Sequence, residues 1–414
     1  MSDADKTFVI VGAGHAAGQA VQSLRLFGFE GKIVLIGDEP YLPYQRPPLS
    51  KAFLSGDVGI DRVEFKPPEF YTEGEANVDV HLNTRATAID RQAKTVTTDA
   101  GDVVAYDKLL LTTGSRVRRL DFLPGADLGG IYYLRTIDDV EAIKTRFGSG
   151  KKAVIVGAGY IGLEVAAVCA KHGLDVTVLE MEERVMARVT APLLSDFYHR
   201  VHTEEGVKIE YGVKVVGFEG EGDVARVLTE QGQNFDADLV VVGIGILPNV
   251  ELAQEAGLAC DNGIVVNETG QTGDPDIFSA GDCTNHPNDL LGHRLRLESV
   301  HNALEQAKAC ASAMLGKPKP YHQIPWFWSD QYDLKLQIAG LSQGYDQLVV
   351  RGNPDEGRSF AAFYLKDGVL IAVDAVNAAP EFLMSKKLIA QKARVAPEKL
   401  EDTSIPMKEM ASNA

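Results

Sequence analysis

Two apolar runs, each followed by a glycine-rich turn and a helix-like stretch, dominate the hydrophobic pattern of this chain. Residues 8–11 precede a turn that begins at Gly12, and residues 153–156 precede a turn that begins at Gly157. Short continuous apolar runs bounded by turn residues are typical of buried strands. The pattern therefore predicts two strand–turn–helix units.

Both turns carry one phosphate-binding fingerprint. The first contains Gly12, Gly14, Ala16 and Ala17, and the second contains Gly157, Gly159, Tyr160 and Gly162. The first glycine permits a tight turn, the second lets the backbone approach a pyrophosphate, and the third position must be small for helix and strand to pack. The helix N-terminus then offers free N–H groups to the phosphates.

Each fingerprint also has an acidic partner. Asp38 follows the apolar run 32–37, and Glu180 follows the run 175–179; they lie 26 and 23 residues beyond the first glycine of their turns. A carboxylate about 20 residues downstream is the expected acceptor for ribose hydroxyls. The alternative is a pair of glycine-rich turns in an unrelated α/β protein. The acidic partners favour two dinucleotide sites and electron transfer between cofactors.

The similarity between the two units extends beyond the turns. The first unit ends in the apolar run 109–111 with Gly114 behind it, and the second ends in the run 239–242 with Gly243 and Gly245 behind it. This indicates an internal duplication at the scale of a domain. Residues 272–282 form a turn and a short strand that ends in Gly-Asp, and a helix is predicted over 302–315. We expect this segment to return to the first unit.

The pattern of hydrophobic residues changes near residue 320. From there it predicts short strands with turns at Gly352, Asp367 and Gly368, followed by helices over 380–390 and 397–400. The predicted fold class is α/β, with two Rossmann-like dinucleotide-binding domains and a C-terminal α+β domain. The predicted boundaries are 1–116 with 246–320 for the first domain, 117–245 for the second and 321–414 for the third.

Composition narrows the function classes. The net charge of −17 argues against general nucleic-acid binding. The sequence shows neither a stretch of 18 apolar residues nor a secretory signal peptide, so we expect neither a membrane span nor export. The four cysteines, Cys169, Cys260, Cys283 and Cys310, offer no chelating pair, so no metal site is predicted. Their spacing fits free thiols in a reducing, cytoplasmic compartment.

Several motifs outside the fingerprints resemble those of one family. They are residues 43–51, 133–136, 279–283, 298–303 and 326–332. Together with the fingerprints they resemble the FAD-dependent, glutathione reductase-like enzymes that pass electrons from NADH to the [2Fe–2S] ferredoxins of bacterial cytochrome P450 and ring-hydroxylating dioxygenase systems. The resemblance covers nearly the whole chain.

The resemblance implies that the first domain holds FAD and the second holds NAD. The implied FAD contacts are Gly12, Gly14, Ala16, Asp38, Lys51, Ala86, Arg135, Asp282 and Val300. Two of these have open alternatives: Asp282 as a cap of the helix that follows, and Arg135 as a surface ion-pair residue.

The implied NAD contacts are Gly157, Gly159, Tyr160, Gly162, Glu164, Glu180, Arg184 and Gly245. Lys51 is the expected charge near the flavin, and the family geometry would bring Glu164 to it, so these two are the candidate catalytic residues. Alternatives are a favourable helix-terminal charge for Glu164 and ordinary packing for Tyr160, whose expected role is to cover the nicotinamide pocket. Glu180 favours NADH because a carboxylate repels a 2′-phosphate, although Arg184 could receive that phosphate.

The implied partner is a [2Fe–2S] ferredoxin, which takes one electron at a time. No redox-active cysteine pair lies near the first helix, which excludes disulfide reductase chemistry. After Tyr44, where peroxide-reducing relatives carry a cysteine, the chain has Arg46, Pro47 and Pro48, which argues against a peroxidase or a water-forming oxidase. Trp326 and Trp328 are candidates for the electron exit or for a hydrophobic domain seam. Candidate docking residues for an acidic ferredoxin are His293, Arg294, Arg296, Lys308, Lys317, Lys319, Lys386 and Lys387. The alternatives are a monodehydroascorbate reductase or NADH oxidase, and an NADH-sensing flavoprotein that resembles apoptosis-inducing factor.

Overall fold

A computed structural model describes residues 3–74 and 76–412 of the chain. The chain separates into two compact units. The first unit comprises Met1–Arg46, Val58–Arg116 and Ile246–Gln323, and the second comprises Pro47–Asp57, Val117–Gly245 and Ile324–Ala414. The short segment Pro47–Asp57 therefore belongs to the second unit although the chain around it belongs to the first.

The first unit is built on a five-stranded parallel sheet with helices packed on it. Its strands, in spatial order, are Ile277–Ser279, Lys108–Leu111, Thr7–Val11, Lys32–Ile36 and Val78–His81. The central strand is buried from Phe8 to Val11, with Val9 opposite both Val34 and Leu109. Parallel strands covered on both faces need such continuous apolar runs, which is why the hydrophobic pattern was so clear here.

The second unit repeats this design. The strands of its parallel sheet are, in spatial order, Lys208–Tyr211, Asp175–Glu180, Lys152–Val156, Leu239–Val242 and Ile131–Tyr133. Each sheet is accompanied by a three-stranded antiparallel meander, which precedes the strand Lys108–Leu111 in the first unit and the strand Leu239–Val242 in the second. These meanders are Ala86–Asp90, Thr95–Thr98 and Val103–Ala105 in the first unit, and Val215–Glu221, Asp223–Thr229 and Phe235–Asp236 in the second.

The fifth strand of each sheet comes from a different part of the chain. In the second unit it is Ile131–Tyr133, which precedes the glycine turn, and it pairs with Leu239–Val242. In the first unit it is Ile277–Ser279, which lies far downstream and pairs with Lys108–Leu111. The first unit is therefore discontinuous. The α/β fold class with two Rossmann-like domains is confirmed, whereas the predicted division into three domains stays a prediction.

The C-terminal part of the second unit contains an antiparallel sheet. Its strands, in spatial order, are Trp326–Gln331, Leu334–Gly340, Val369–Val376, Phe360–Lys366 and Gln347–Gly352. The predicted turn at Asp367 and Gly368 joins two of these strands, and both residues have positive φ angles of 50° and 74°. Two successive positive φ angles are the mark of a two-residue type I′ hairpin.

The predicted helices are present with small differences in their ends. The helix predicted over 302–315 spans Val300–Met314 because the side chain of Ser299 accepts a hydrogen bond from the Asn302 N–H and so caps an earlier start. The helices predicted over 380–390 and 397–400 span Ala379–Ala390 and Pro397–Glu401, and a further short helix, Met407–Ser412, was not predicted. The other α-helices are His15–Leu26, Pro68–Thr72, Ile137–Lys144, Tyr160–Lys171, Pro192–Glu204 and Glu251–Glu255.

The remaining elements are short. Three 3₁₀ turns span Asp3–Asp5, Pro47–Ser50 and Ile60–Arg62. A small sheet of the first unit contains Ile264–Val265, Thr284–Asn288 and His293–Leu295, and two further strands, Ser115–Val117 and Ile246–Pro248, lie where the chain passes between units. Within residues 3–74 and 76–412, no helix combines the length and apolar character that a membrane span requires.

Candidate functional site

The first glycine turn ends in an open helix N-terminus. Gly12 has a φ angle of +99°, and a Cβ atom there would collide with the carbonyl oxygen of Thr112, the residue that follows the neighbouring strand Lys108–Leu111. Gly14 is the N-cap of the helix His15–Leu26 without a side-chain cap, and a Cβ atom on it would meet nothing within 4 Å. The first N–H groups of this helix are thus accessible to a phosphate, as a dinucleotide requires.

Other predicted FAD contacts gather around this turn. A Cβ atom on Gly281 would lie 3.5 Å from the Cβ atom of Ala16, so the Gly-Asp motif lies beside the first helix. The hydroxyl of Ser115 donates to Asp282 Oδ2 at 2.9 Å. Asp282 does not cap the following helix, since Ser299 has that role; that alternative is therefore wrong. Asp38 is exposed at the end of the strand Lys32–Ile36.

The remaining predicted FAD contacts are distributed over both units. Ala86 begins the strand Ala86–Asp90, and Val300 begins the helix Val300–Met314, both in the first unit. Lys51 and Arg135 belong to the second unit. The backbone N–H of Arg135 donates to the carboxylate of Asp139 at 2.9 Å, just before the helix Ile137–Lys144.

The second glycine turn has the same geometry as the first. Gly157 has a φ angle of +104°, and a Cβ atom on it would lie 2.5 Å from the carbonyl oxygen of Gly243. A Cβ atom on Gly162 would collide with the carbonyl oxygen of Gly157, whereas one on Gly159 would meet nothing within 4 Å. The helix Tyr160–Lys171 again has no side-chain cap at its start. The residues of both turns therefore fit a pyrophosphate. Gly245, on the loop after the neighbouring strand, has a φ angle of +100°.

The side chain of Glu180 accepts a hydrogen bond from the backbone of the second glycine turn. The N–H of Ala158 donates to its Oε2 at 2.6 Å, and the N–H of Glu182 donates to its Oε1 at 2.9 Å. These bonds place the carboxylate next to the pyrophosphate cradle and leave lone pairs for hydroxyl donors, because each carboxylate oxygen accepts more than one hydrogen bond.

Arg184 is engaged within the chain. Its guanidinium donates to the carbonyl oxygens of Thr190 and Ala187 at 3.0 and 2.7 Å, and to the hydroxyl of Ser195 at 2.7 Å. These three bonds hold the loop that precedes the helix Pro192–Glu204. The engagement of the guanidinium favours Glu180 over Arg184 as the group that selects the cofactor.

The two candidate catalytic residues form an ion pair in the second unit. Lys51 Nζ lies 2.6 Å from Glu164 Oε2, and the side chains are 17% and 2% exposed. Lys51 also donates to the carbonyl oxygen of Pro47 at 3.3 Å. Burial raises the pKa of Glu164, and the charge of Lys51 opposes that rise. The catalytic role of Glu164 and the alternative of a favourable helix-terminal charge both stay predictions, since the carboxylate lies in the first turns of the helix Tyr160–Lys171.

Two serines complete the surroundings of Glu164, and sequence reasoning did not select them. The hydroxyl of Ser50 donates to Oε2 at 2.5 Å, and the hydroxyl of Ser329 donates to Oε1 at 2.6 Å. Both belong to motifs that carried the family resemblance. A usable sign was present in the strand Trp326–Gln331, where Ser329 and Gln331 alternate on the buried face.

The start of the second helix also carries an aromatic side chain. The ring of Tyr160 packs edge-to-face on Phe327 with centroids 5.2 Å apart. Its hydroxyl is buried and has no hydrogen-bond partner within the described part of the chain. Burial raises the pKa of this phenol well above its ordinary value. The contact with Phe327 shows packing within the unit, and the expected place of Tyr160 in the nicotinamide pocket stays a prediction.

The candidate exit and docking residues have diverse surroundings. Trp326 and Trp328 are half-buried and lie 5.6 Å apart, with the Lys386 ammonium 5.1 Å from the Trp326 ring. Arg294 donates to the carbonyl oxygens of Val266 and Asn285 and is thus structural. The other candidates differ in their partners: Arg296 and Lys308 form ion pairs with glutamates, whereas His293, Lys317, Lys319 and Lys387 are exposed.

The thiols are unsuited to redox chemistry. All four cysteines are free, and Cys169, Cys283 and Cys310 are fully buried. Burial raises the pKa of the Cys169 thiol to about 12 and also raises the pKa of Cys283. Since the thiolate is the reactive form, these groups do not provide an electron acceptor within the chain.

Comparison with known proteins agrees with this geometry. Residues 6–307 match the family described as pyridine nucleotide-disulphide oxidoreductase, and residues 326–411 match the reductase C-terminal domain. The chain is 43% identical over 420 residues to a putidaredoxin reductase of Pseudomonas putida, covering 100% of this chain and 98% of that protein. It is 41% identical over 414 residues to a ferredoxin–NAD(P)+ reductase of a Sphingomonas species, covering 99% and 98%.

The structure is similar to that of the reductase in a covalent putidaredoxin reductase–putidaredoxin complex. The TM-score is 0.96 at 42% identity, with 99% of each chain covered. The chain therefore belongs to the pyridine nucleotide-disulphide oxidoreductase family, and within it to the ferredoxin reductases of bacterial cytochrome P450 and dioxygenase systems.

Proposed function

We propose that this protein is an FAD-containing, NADH-dependent reductase that delivers electrons singly to a [2Fe–2S] ferredoxin, which in turn serves a cytochrome P450 or a ring-hydroxylating dioxygenase. The observation that carries the proposal is the presence of two open glycine turns, one in each unit, each followed by its own acidic residue. All four cysteines are free, so the chain contains no disulfide that could accept the electrons. In the proposal the acceptor is therefore the partner ferredoxin.

In the proposal, the first unit provides the contacts to the pyrophosphate, the adenosine ribose and the ribitol of FAD. The helix N-terminus behind Gly14 would bind the pyrophosphate, and Asp38 would accept the adenosine ribose hydroxyls. Asp282, which accepts a hydrogen bond from Ser115, would accept a ribitol hydroxyl as well, because each carboxylate oxygen accepts more than one hydrogen bond. FAD, when bound, accepts a hydride from NADH and releases its electrons one at a time; the protein supplies binding, orientation and charge.

The ion pair of Lys51 and Glu164 provides a fixed positive charge, the Lys51 ammonium. The salt bridge to Glu164 and the carbonyl oxygen of Pro47 fix the Lys51 ammonium. Pro47 and Pro48 restrict the backbone before Lys51, because each proline ring fixes its φ angle. If FAD is bound with its ring near Lys51, a cation held in this way would stabilise negative charge on the ring without reorganisation of the protein.

Glu180 sets the preference for NADH. Its carboxylate can accept hydrogen bonds from the two hydroxyls of an adenosine ribose, and it repels a 2′-phosphate. The internal bonds of Arg184 remove the residue that could have neutralised that phosphate.

The electron exit in the proposal lies at Trp326 and Trp328, and exposed basic residues of the docking set attract the acidic ferredoxin. We further propose a cytoplasmic location, which the four free thiols support because thiols persist in reducing compartments.

The test measures flavin bleaching by NADH in a stopped-flow instrument, followed by ferredoxin-dependent reduction of cytochrome c with a [2Fe–2S] ferredoxin from the same organism. The variant Lys51→Met should bleach about 100-fold more slowly, the size of effect expected for one lost electrostatic contact at a reacting centre. Lys335→Met, which alters an exposed lysine on a C-terminal strand of the same unit, is the matched control.

Three results would contradict the proposal. Fast bleaching without any ferredoxin-dependent turnover would indicate another acceptor. Rapid oxygen consumption would favour an NADH oxidase. Very slow bleaching in the wild type would favour an NADH-sensing protein.

A further inference from the structure

A chain of buried polar side chains leads away from Glu164 within the second unit. It begins at Ser329, whose hydroxyl donates to Glu164 Oε1 at 2.6 Å. Gln331 Nε2 donates to the Ser329 hydroxyl at 3.1 Å, and Gln331 Oε1 lies 2.8 Å from His202 Nε2. The hydroxyl of Tyr332 lies 3.1 Å from His202 Nδ1.

The members of this chain are almost inaccessible to water until its last residue. Ser329 and His202 are 0% exposed and Gln331 is 1% exposed, whereas Tyr332 is half-buried. Buried polar groups in a low-dielectric interior polarise one another when every bond is made. The chain therefore connects the carboxylate to the half-buried Tyr332 through three residues that water does not reach.

The charge of Glu164 fixes the direction of every bond in the chain. Ser329 has one hydrogen, which it donates to the carboxylate, so it must accept from the Gln331 amide. The Gln331 oxygen then faces His202 and requires a donor. His202 must carry its proton on Nε2, and its Nδ1 accepts from the Tyr332 hydroxyl. Burial lowers the pKa of His202 to about 4, which agrees with a neutral ring.

We propose that Tyr332, His202, Gln331 and Ser329 form an oriented hydrogen-bond chain that keeps the Glu164 carboxylate ionised and in place against Lys51, with His202 as a positioning residue. This deepens the proposed function and rests on it for its catalytic meaning. None of the four residues needs to touch substrate or cofactor.

The need for such a chain follows from the environment of the carboxylate. Burial raises the pKa of Glu164, and Lys51, Ser329 and Ser50 oppose that rise. The phenols of Tyr160 and Tyr198 also face it. If Glu164 took up a proton, Lys51 would lose its counter-ion.

The surroundings of His202 keep the far end of the chain neutral. Besides Gln331 and Tyr332, the charged and titratable groups that face it are Glu205 and His199. Neither forms a hydrogen bond with the ring within the described residues. The tautomer of His202 is consequently set by the chain itself.

The first test is an infrared titration of oxidised, FAD-loaded protein without NADH or ferredoxin. The carboxylic-acid stretch of Glu164 is assigned by its loss in Glu164→Gln. Ser329→Ala should raise the titration midpoint by about one to two pH units, the shift that follows from removing one hydrogen bond to a charged group. Gln331→Met and His202→Phe should raise it by about half a pH unit, because they weaken polarisation and leave the Ser329 donor in place.

Matched variants separate hydrogen bonding from packing. Ser329→Thr retains the hydroxyl, and His202→Gln retains an N–H donor in the position of Nε2, so both should keep the wild-type midpoint. A midpoint that moves in Ser329→Ala alone, with Gln331→Met and His202→Phe unchanged within error, would overturn the proposal.

A second measurement needs no core substitution. In protein labelled with ¹⁵N-histidine, the ring nitrogens of His202 should report the Nε2–H tautomer in the wild type and a loss of that preference in Tyr332→Phe, which removes only one hydroxyl. An Nδ1–H tautomer or a protonated ring at pH 7 in the wild type would also overturn the proposal. Neither measurement uses NADH or ferredoxin, so a failure of ferredoxin reduction would refute the proposed function and leave this result intact.

Discussion

Asp374 lies in the C-terminal sheet, and we predict that it makes the stability of the protein dependent on pH. It lies on the strand Val369–Val376, opposite Ile338 and Ala362 of the two neighbouring strands, and is 2% exposed. The Tyr364 hydroxyl donates to its Oδ2 at 2.5 Å. Burial raises its pKa from the ordinary 3.8 to about 7, and the single bond from Tyr364 does not offset that rise. We predict that Asp374→Asn removes a large part of the pH dependence of unfolding.

The sign and size follow from proton linkage. At pH 5.5 folded Asp374 carries a proton that the unfolded chain has already lost, so stability falls as the pH rises from about 4 through about 7. With the two pKa values given, the free energy of unfolding should fall by about 2 kcal/mol between pH 5.5 and pH 8 on account of this group alone. In Asp374→Asn this contribution is absent, while the amide oxygen still accepts the Tyr364 hydrogen bond.

The assay is urea unfolding followed by circular dichroism at several pH values from 5.5 to 8. The free energies of unfolding of wild type and variant are compared where both depend equally steeply on the urea concentration. Glu221→Gln, an exposed carboxylate at the tip of a hairpin in the same unit, is the control and should follow the wild type. If Asp374→Asn lost as much stability over this range as the wild type, Asp374 would be ionised throughout and the reasoning from burial would be refuted.

Three further predictions concern the nucleotide sites and the partner. Glu180→Ala combined with Glu182→Arg should raise the ratio of kcat/KM for NADPH over NADH by about tenfold or more, because a repulsive carboxylate is removed and a cation is added. Equal use of both cofactors by the wild type would contradict the role of Glu180. Gly159→Ala should fold normally but raise KM for NADH by about tenfold, whereas Gly162→Ala should reduce the melting temperature, because only the second methyl meets backbone atoms; equal melting temperatures would argue against the turn geometry. The rate of ferredoxin-dependent turnover should fall as the salt concentration rises, while the rate of flavin bleaching by NADH should not change. A turnover rate that does not depend on salt would argue against docking at the candidate basic residues.

Much of the fold was accessible from the sequence because parallel strands buried on both faces leave continuous apolar runs. Residues 8–11 and 153–156 were located in this way, and the resemblance of the two unit endings revealed the duplication. The sequence analysis placed residues 47–57 in the first domain and the C-terminal strands in a third domain, whereas the structure groups both segments with the second unit. That outcome depends on packing between segments far apart in the chain, which periodicity does not encode.

The candidate site was accessible only in part, for a related reason. Glycine turns impose φ angles and close contacts that few other residues tolerate, so Gly12 and Gly157 were identifiable by residue type alone. Ser329, Gln331 and His202 are ordinary residue types whose roles depend on hydrogen bonds across the fold. Arg184 shows the converse, because a suitable residue at a suitable spacing turned out to hold its own loop.

The two duplicated units differ in the residue at one equivalent position of the helix that follows the glycine turn. Seven residues after the first glycine, the first unit has Gln19 and the second has Glu164. Gln19 is half-buried and donates to Ser23 within its own helix at 2.9 Å, so it needs no partner from elsewhere. Glu164 is a buried charge, and a buried charge must be paired and hydrogen-bonded to persist. Lys51, Ser50 and Ser329 come from two other segments of the chain to meet that need. The inserted segment 47–57 and the C-terminal sheet are thus tied to the second unit through one carboxylate that the first unit does not have.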